Sequence, residues 1–155
     1  MPLMYLHLTP NAFDAAEKQQ IAELITEASL RAESIPDEPE RRLRSLMFIE
    51  EHPVDHFYAG GVSGEALVRG VFLHLHVGVG VMDGARRAQL IADVHAAIEQ
   101  VARNASAAGD RRHIATSVVI TDVPEGFWGQ QGGVRRLPQM AAIAGFEHLR
   151  CIAAE

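Results

Sequence analysis

Apolar positions along the first part of the chain follow a strand pattern and then a helix pattern. Leu3–Thr9 is rich in residues that favour β-structure, and Asp14 with Glu17 three residues later is typical of a helix-starting capping box. The helical spacing i, i+3, i+4, i+7 is then met by Ile21, Leu24, Ile25 and Ala28. This order predicts a strand followed by an amphipathic helix.

A charged segment and a second apolar run come next. Ala32–Arg44 carries Pro36 and Pro39, so we expect a surface loop there. Leu46–Glu50 predicts a short strand, and Gly60-Gly61 predicts a turn.

The second half of the chain shows the same order of patterns. Val71–Val77 predicts a strand, and Ser117–Thr121 predicts another that ends before Pro124. Between them, the face of a helix is marked by Leu90, Ile91, Val94, Ile98 and Val101.

Three sequence matches indicate that the chain is a duplicated unit. They occur in the same order in both halves, at offsets that increase slowly from 67 to 70 to 72 residues. The matched pairs are Tyr5-Leu6-His7-Leu8 with Phe72-Leu73-His74-Leu75, Ile21-Ala22-Glu23 with Ile91-Ala92-Asp93, and Gly60-Gly61 with Gly132-Gly133. One match could arise by chance, but three in one order indicate a repeat.

The repeat predicts an α/β fold built from two β-α-β units. We expect one domain over residues 1–155, with units at about 2–66 and 69–139 and a C-terminal tail at 140–155. Two strands joined by a helix lie parallel, so the two units predict a four-stranded, mainly parallel sheet with both helices on one face. Apolar residues occur at both odd- and even-numbered positions of Val71–Val77, so both faces of the strand are apolar. The face without helices therefore also needs cover, which predicts a small symmetric oligomer.

Composition and charge narrow the functional classes. The chain of 155 residues is 48% hydrophobic and 22% charged, which is typical of a globular protein. A formal net charge of −6 disfavours a general nucleic-acid binder. The longest apolar stretch, Val71–Met82, is interrupted by His74 and His76 and is too short to span a membrane. With no basic N-terminal region and a single cysteine, Cys151, we expect a cytoplasmic protein without disulfides.

A duplicated β-α-β unit that opens with Met-Pro and closes each unit with an aromatic, Gly-rich hairpin resembles the tautomerase superfamily. Val119-Ile120-Thr121-Asp122, followed by Phe127-Trp128 and Gly132-Gly133, is similar to the second strand and hairpin of 4-oxalocrotonate tautomerase. Arg135-Arg136-Leu137-Pro138-Gln139 is similar to the segment after the hairpin in cis-3-chloroacrylic acid dehalogenase. The resemblance implies a homotrimer that acts without a cofactor on a small keto or enol carboxylic acid.

Pro2 is the candidate catalytic residue. Removal of Met1 would leave a secondary amine, and an ordinary α-amino group has a pKa of about 7.7–8.0. An apolar pocket lowers this pKa further, and a base with a pKa near the working pH can abstract a proton next to a carbonyl. The alternative is that Pro2 only begins a strand, where its missing N–H does little harm.

The chain departs from both family patterns at the other catalytic positions. Where the dehalogenase has two arginines, a histidine, a tyrosine and a glutamate, this chain has Gly78, Val81, Ser29, Val119 and Gln131 or Gly132. Where 4-oxalocrotonate tautomerase has two arginines, it has Ala12 or Phe13 and Met47 or Ser117. The resemblance therefore keeps the base and loses the usual carboxylate clamp.

Other residues could replace the clamp. Arg135 and Arg136 follow the second hairpin and could bind a carboxylate, although both could equally be solvated surface charges. Arg69 aligns with Pro2 at the start of the second unit and could lie near an equivalent pocket or simply lead into the strand. Trp128 could form a wall of the active site or pack at a subunit interface.

Histidines are the remaining candidates. His74 and His76 lie on one face of a strand, and His74 is a candidate proton carrier or substrate-binding group. We expect no metal site, because no carboxylate lies near these histidines or His7 in the sequence. The predicted function is a cofactor-independent tautomerase. The alternatives are a hydratase, dehalogenase or decarboxylase with protonated Pro2 as acid, and a non-catalytic trimeric ligand-binding protein.

Overall fold

The computed structural model describes residues 2–104 and 109–153, which form one sheet, two long helices and two small hairpins. In chain order the elements are β1 (Leu3–Leu8), α1 (Ala15–Glu33), α2 (Pro39–Arg42), β2 (Leu46–Glu51), a 3₁₀ turn (Val54–His56), β3 (Tyr58–Ala59), β4 (Val62–Ser63), β5 (Val68–Gly78), α3 (Gly84–Asn104), β6 (His113–Val123), β7 (Trp128–Gln130), β8 (Gly133–Arg135), α4 (Leu137–Ala144) and a 3₁₀ helix (Glu147–Ile152).

The four long strands form one sheet in the order β2-β1-β5-β6. β1 pairs with β2 and β5 pairs with β6 in parallel, whereas the two central strands β1 and β5 are antiparallel. Each parallel pair belongs to one repeat unit. The predicted α/β fold of two joined β-α-β units is therefore confirmed.

Helices α1 and α3 pack side by side on one face of this sheet. Their buried rows are Ile21, Ile25 and Ala28 in α1 and Leu90, Val94, Ala97, Ile98 and Val101 in α3. Ile91 was expected on the buried face of α3, and that expectation is wrong because its side chain is 43% exposed. The 3.6-residue period that includes Leu90 and Val94 turns Ile91 towards solvent.

The ends of α1 show where local sequence patterns succeed and where they fail. The expected capping box is present, because Asp14 Oδ1 accepts from Glu17 N–H at 2.8 Å and Glu17 Oε2 accepts from Asp14 N–H at 2.8 Å. The surface loop expected over 32–44 is only partly correct. Ala32 belongs to α1, Ile35 is buried, and α2 forms a short helix within the segment.

Two hairpins occupy equivalent places in the two units. β3 and β4 are joined by Gly60-Gly61, and β7 and β8 are joined by Gln131-Gly132. All four turn residues have positive φ, which is typical of the two-residue turns that match the twist of paired strands. The structural offset between the turns is therefore 71 residues, one less than the Gly-Gly match suggested.

The chain beyond the second hairpin returns to the core. Met140, Ala141, Ala144 and Phe146 are buried there. Met140 packs so closely on Gly78 that a Cβ at that glycine would lie 2.4 Å from the methionine Cε. These contacts close the end of the sheet beside β5.

The sheet face opposite the helices carries an open aromatic surface. Tyr5 and Phe48 stack with ring centroids 5.6 Å apart, and Phe72 and Val119 are also exposed. Within the described residues no helix covers this face. No helix among the described residues is long and apolar enough to cross a membrane.

Candidate functional site

Pro2 lies at the edge of a cavity of about 440 Å³, at the end of the sheet where β1 begins and β5 ends. The cavity lies between the sheet and the second hairpin. Its apolar lining comes from Leu3, Leu46, Val123, Phe127 and Trp128, and its polar lining includes Tyr5, Arg44, His76 and Gln130. An apolar recess with a few polar groups is typical of a small-molecule site.

Backbone pairing holds Pro2 in place. Pro2 is buried, and its carbonyl accepts a hydrogen bond from Leu46 N–H at 3.2 Å, which extends the pairing of β1 with β2. Proline fits this position because the first residue of a strand needs no N–H in the ladder. The ring therefore sits at a fixed place on the cavity wall.

Arg44 is the cationic residue that lines this cavity, and the sequence did not single it out. It lies two residues before β2, and its own backbone N–H donates to Arg41 C=O at 3.1 Å. Within the described residues its side chain has no ion pair. Its guanidinium is therefore available for a carboxylate of a bound molecule.

His76, rather than His74, is the histidine of this cavity. Burial, with a further contribution from neighbouring His74, lowers the pKa of His76, so its imidazole is neutral at neutral pH. Tyr5 meets the His76 ring edge-on with centroids 6.0 Å apart. His74 does not line the cavity. Its Nε2 is 2.8 Å from Thr121 Oγ1, and its ring centroid is 4.3 Å from that of His76.

The hairpin formed by β7 and β8 supplies one wall. Trp128 lines the cavity together with Phe127, whose side chain is 78% exposed. Arg135 lies directly opposite Trp128 in the hairpin register, and its Nε is buried without a hydrogen-bond partner among the described residues. Arg135 does not itself line the cavity.

Arg136 points elsewhere. It is exposed at the start of α4, where its backbone N–H donates to Gln139 Oε1 at 2.7 Å. Consecutive residues of an extended segment face opposite sides, which explains why Arg135 and Arg136 separate.

Arg69 is not brought together with Pro2. Its side chain is buried, forms an ion pair with Glu17 at 3.2 Å, donates to the carbonyl of Ala12, and lies over the ring of Phe13 at 4.2 Å. These contacts join β5 to the start of α1. These contacts are those of a structural anchor.

One cluster of possible metal ligands occurs among the described residues, formed by His7, Glu50 and His52. The expectation that no carboxylate accompanies these histidines was drawn from sequence distance. No carboxylate lies near His7 in the sequence, but the parallel register places Glu50 directly beside it.

Comparison with known proteins gives a family and a fold. A family model described as "Putative oxalocrotonate tautomerase enzyme" matches residues 1–144. A comparison with curated protein sequences finds no match.

Several solved structures share the fold at low sequence identity. The "F6 fused 4-OT wild type asymmetric trimer" is 21% identical, with a TM-score of 0.65 over 85% of this chain and 94% of that chain. A probable enzyme from the thermophilic fungus Aspergillus fumigatus is 17% identical, with a TM-score of 0.68 over 100% and 96%. The protein Pt0534 inactivated by 2-oxo-3-pentynoate is 17% identical, with a TM-score of 0.60 over 85% and 94%.

The family match spans nearly the whole chain, and the fold of two joined β-α-β units agrees with it. This chain belongs to the oxalocrotonate tautomerase family of the tautomerase superfamily.

Proposed function

We propose that this protein is a cofactor-independent tautomerase in which the amine of Pro2, freed by removal of Met1, is the general base. The observation that carries the proposal is the position of Pro2, buried at the edge of an apolar cavity that also contains Arg44. The substrate class is a small keto or enol carboxylic acid.

The cavity suits the proposed base. Leu3, Leu46 and Trp128 line the same cavity as Pro2. Apolar groups of this kind disfavour the charged form of an amine and lower its pKa. An unprotonated amine at neutral pH can take a proton from the carbon next to a carbonyl or from an enol oxygen. The same nitrogen then returns the proton at the other position, so no cofactor is consumed.

Arg44 is the proposed carboxylate partner. A guanidinium presents paired N–H donors that match the two oxygens of a carboxylate. Pro2 directly precedes β1 and Arg44 lies two residues before the neighbouring strand β2, and the Leu46 N–H donates to the Pro2 carbonyl. This supports a pose in which the acid group binds Arg44 and the reacting carbons lie over Pro2.

The remaining groups shape the site. Trp128 and Phe127 can exclude water from the reacting carbons, and His76 or Tyr5 can donate to a developing enolate oxygen. His74, through its contact with His76, and Arg135, beside Trp128, are proposed as supporting groups.

Trimer formation is part of the proposal. The open face with Tyr5, Phe48 and Phe72 needs a partner, and the fused 4-OT structure with this fold is described as a trimer. The inactivation of Pt0534 by 2-oxo-3-pentynoate supports the idea that proteins of this fold carry a reactive group towards small 2-oxo acids.

A second candidate is hydration of an unsaturated acid, with protonated Pro2 as the acid. The observation that favours it is His76, because a neutral imidazole in the same cavity can accept a proton from an attacking water. Product analysis with an acetylenic or semialdehyde acid separates the two, since hydration gives a new product and tautomerisation gives an isomer.

The proposed function is tested with Pro2→Ala and with a variant that retains Met1, each assayed for ketonisation of phenylenolpyruvate and of a 2-hydroxydienoate. We expect activity to fall by about 10²–10⁴-fold in both, the usual contribution of a general base. Circular dichroism checks that the fold is intact. Unchanged turnover in Pro2→Ala would refute the mechanism, and a wild-type chain that keeps Met1 would favour a non-catalytic ligand-binding protein.

A further inference from the structure

A second cavity, of about 340 Å³, lies near the other end of β1. His7, His52 and His56 line it together with Phe57 and Phe72. Residues 2 and 7 are separated by about 17 Å of extended strand, so this cavity is distinct from the Pro2 site. The proposed tautomerase reaction uses none of these histidines.

Strand register brings a carboxylate next to His7, one of the histidines of this cavity. His7 of β1 and Glu50 of β2 are direct partners in the parallel pairing, so their side chains share the open face of the sheet. His52 follows two residues after Glu50 and returns to the same side, where its backbone N–H donates to Leu8 C=O at 3.0 Å. Three residues distant in sequence therefore meet at one place.

The distances among the three side chains match those of a metal site. His7 Nδ1 lies 3.2 Å from His52 Nε2 and 3.3 Å from Glu50 Oε2, and all three atoms lie within 4.8 Å of one another. Bonds of about 2.0–2.2 Å to a tetrahedral zinc ion place neighbouring ligand atoms about 3.3–3.6 Å apart. Two of the three separations already have nearly this value.

The aromatic surroundings hold both rings in place. The His7 and His52 rings stack with centroids 5.3 Å apart and an interplanar angle of 22°, and Phe72 lies 5.9 Å from His7 on the same face. Glu50 is exposed on the edge strand, so its carboxylate can move the short distance that ion binding requires.

Each of the three facing atoms can present a lone pair to a cation. His7 Nδ1 faces both a carboxylate oxygen and a ring nitrogen of His52. If the neutral His7 ring carries its proton on Nδ1, His52 Nε2 and Glu50 Oε2 both face that one proton. If Nδ1 instead accepts from His52, its lone pair faces the carboxylate. A cation between the three atoms would interact favourably with every lone pair.

We propose that His7, Glu50 and His52 bind one divalent transition metal ion of the zinc class per chain. Two imidazoles and one carboxylate favour such ions over Mg²⁺ or Ca²⁺, which prefer oxygen ligands. Three protein ligands leave a fourth position, and this position faces the second cavity because both histidines line it. A water molecule or a small anion held in the second cavity completes the coordination.

The test is a titration of the chelator-treated full chain with Zn²⁺ against a chromophoric competitor, with Co²⁺ as a spectroscopic probe. One Zn²⁺ per chain and the intense visible bands of tetrahedral Co²⁺ are expected. Glu50→Gln and His52→Ala should each weaken Zn²⁺ binding by about 100-fold or more, since even the partners of ligands contribute about 10–100-fold. Glu50 is exposed on an edge strand, so its variant is expected to fold normally.

Two control variants separate this site from ordinary surface binding. His95 with Glu99 is another exposed histidine–carboxylate pair, at 3.5 Å, and His56 lines the same cavity outside the cluster. His95→Ala and His56→Ala should keep wild-type affinity. Equal losses in either control, no loss in Glu50→Gln and His52→Ala, or the absence of one-to-one Zn²⁺ binding would overturn the proposal. Pro2→Ala should bind Zn²⁺ like the wild type, so the outcome is independent of the tautomerase test.

Discussion

Replacing Arg69 by methionine is expected to lower the stability of the fold by about 3–5 kcal/mol, the usual cost of removing one partner of a buried ion pair. The side chains of Arg69 and Glu17 are 5% and 14% exposed, with a nitrogen–oxygen distance of 3.2 Å. Methionine keeps much of the side-chain volume but leaves the Glu17 carboxylate without its cation. It also leaves the Ala12 carbonyl without the Arg69 donor.

The melting temperature gives the measurable magnitude. A change of 1 kcal/mol corresponds to about 2–4 °C for a chain of this size, so Arg69→Met should melt about 6–20 °C below the wild type. Wild type and variants are compared by circular dichroism at one protein concentration, because an oligomer melts at a temperature that depends on concentration.

Glu17→Gln supplies the matched partner variant. The side-chain carbonyl of the introduced glutamine can still accept from the Asp14 N–H, so the capping box remains and only the charge is lost. The double variant Arg69→Met with Glu17→Gln removes both charges and should be more stable than Arg69→Met alone.

Activity decides between a structural and a substrate-binding role for Arg69. At a temperature where both proteins are folded, Arg69→Met should keep the KM of the wild type. A raised KM with an unchanged melting temperature would contradict the reasoning and would restore Arg69 as a substrate-binding residue.

Three further predictions address the site, the open face and acid stability. Arg44→Ala should lower kcat/KM by about 10–150-fold, because it loses a charged hydrogen bond worth about 1.5–3 kcal/mol, whereas Arg44→Lys should lose less. Steady-state kinetics measures both variants, and values that match the wild type in both would contradict this prediction. Phe72→Asp should break the proposed trimer, as measured by sedimentation velocity. The control Ile91→Asp should leave it intact, because Ile91 is 43% exposed on the solvent side of α3. An intact trimer in Phe72→Asp would count against this face as the interface. Hydrogen bonds from Arg112 lower the pKa of Asp110 to about 2, so its ionised form stabilises the fold fully above the ordinary pKa of about 3.9 and loses this effect as the pH falls towards 2. Melting temperatures of wild type and Asp110→Asn should therefore differ near neutral pH and converge over that acid range, and a constant difference would refute the assignment.

Local patterns predicted much of the fold. The capping box of Asp14 and Glu17 depends on residues three apart, and the strands of each unit depend on short apolar runs. The repeat then predicted a four-stranded sheet with both helices on one face, because each copy implied the same β-α-β unit. The order of its strands came only from the structure. The error at Ile91 has a physical cause. The sequence match pairs Ile21 with Ile91, an offset of 70 residues, whereas the buried rows of the two helices begin at Ile21 and Leu90, an offset of 69.

The candidate site was predictable only in part, because its members meet through strand pairing. Pro2 could be singled out by its place after Met1, and Trp128 by its place in the second hairpin. Arg44 could not, since only the bond from Leu46 to Pro2 brings residue 44 to the cavity. Strand alternation put His74 and His76 on one face, but the length of β5 decides that His76 reaches the Pro2 end.

The most direct test of the proposed enzyme is an NMR titration of the Pro2 nitrogen in the mature protein. We expect a free secondary amine with a pKa below the ordinary value of about 7.7–8.0, because the apolar cavity disfavours its charged form. A nitrogen still joined to Met1, or an amine that titrates at the ordinary value, would contradict the central claim.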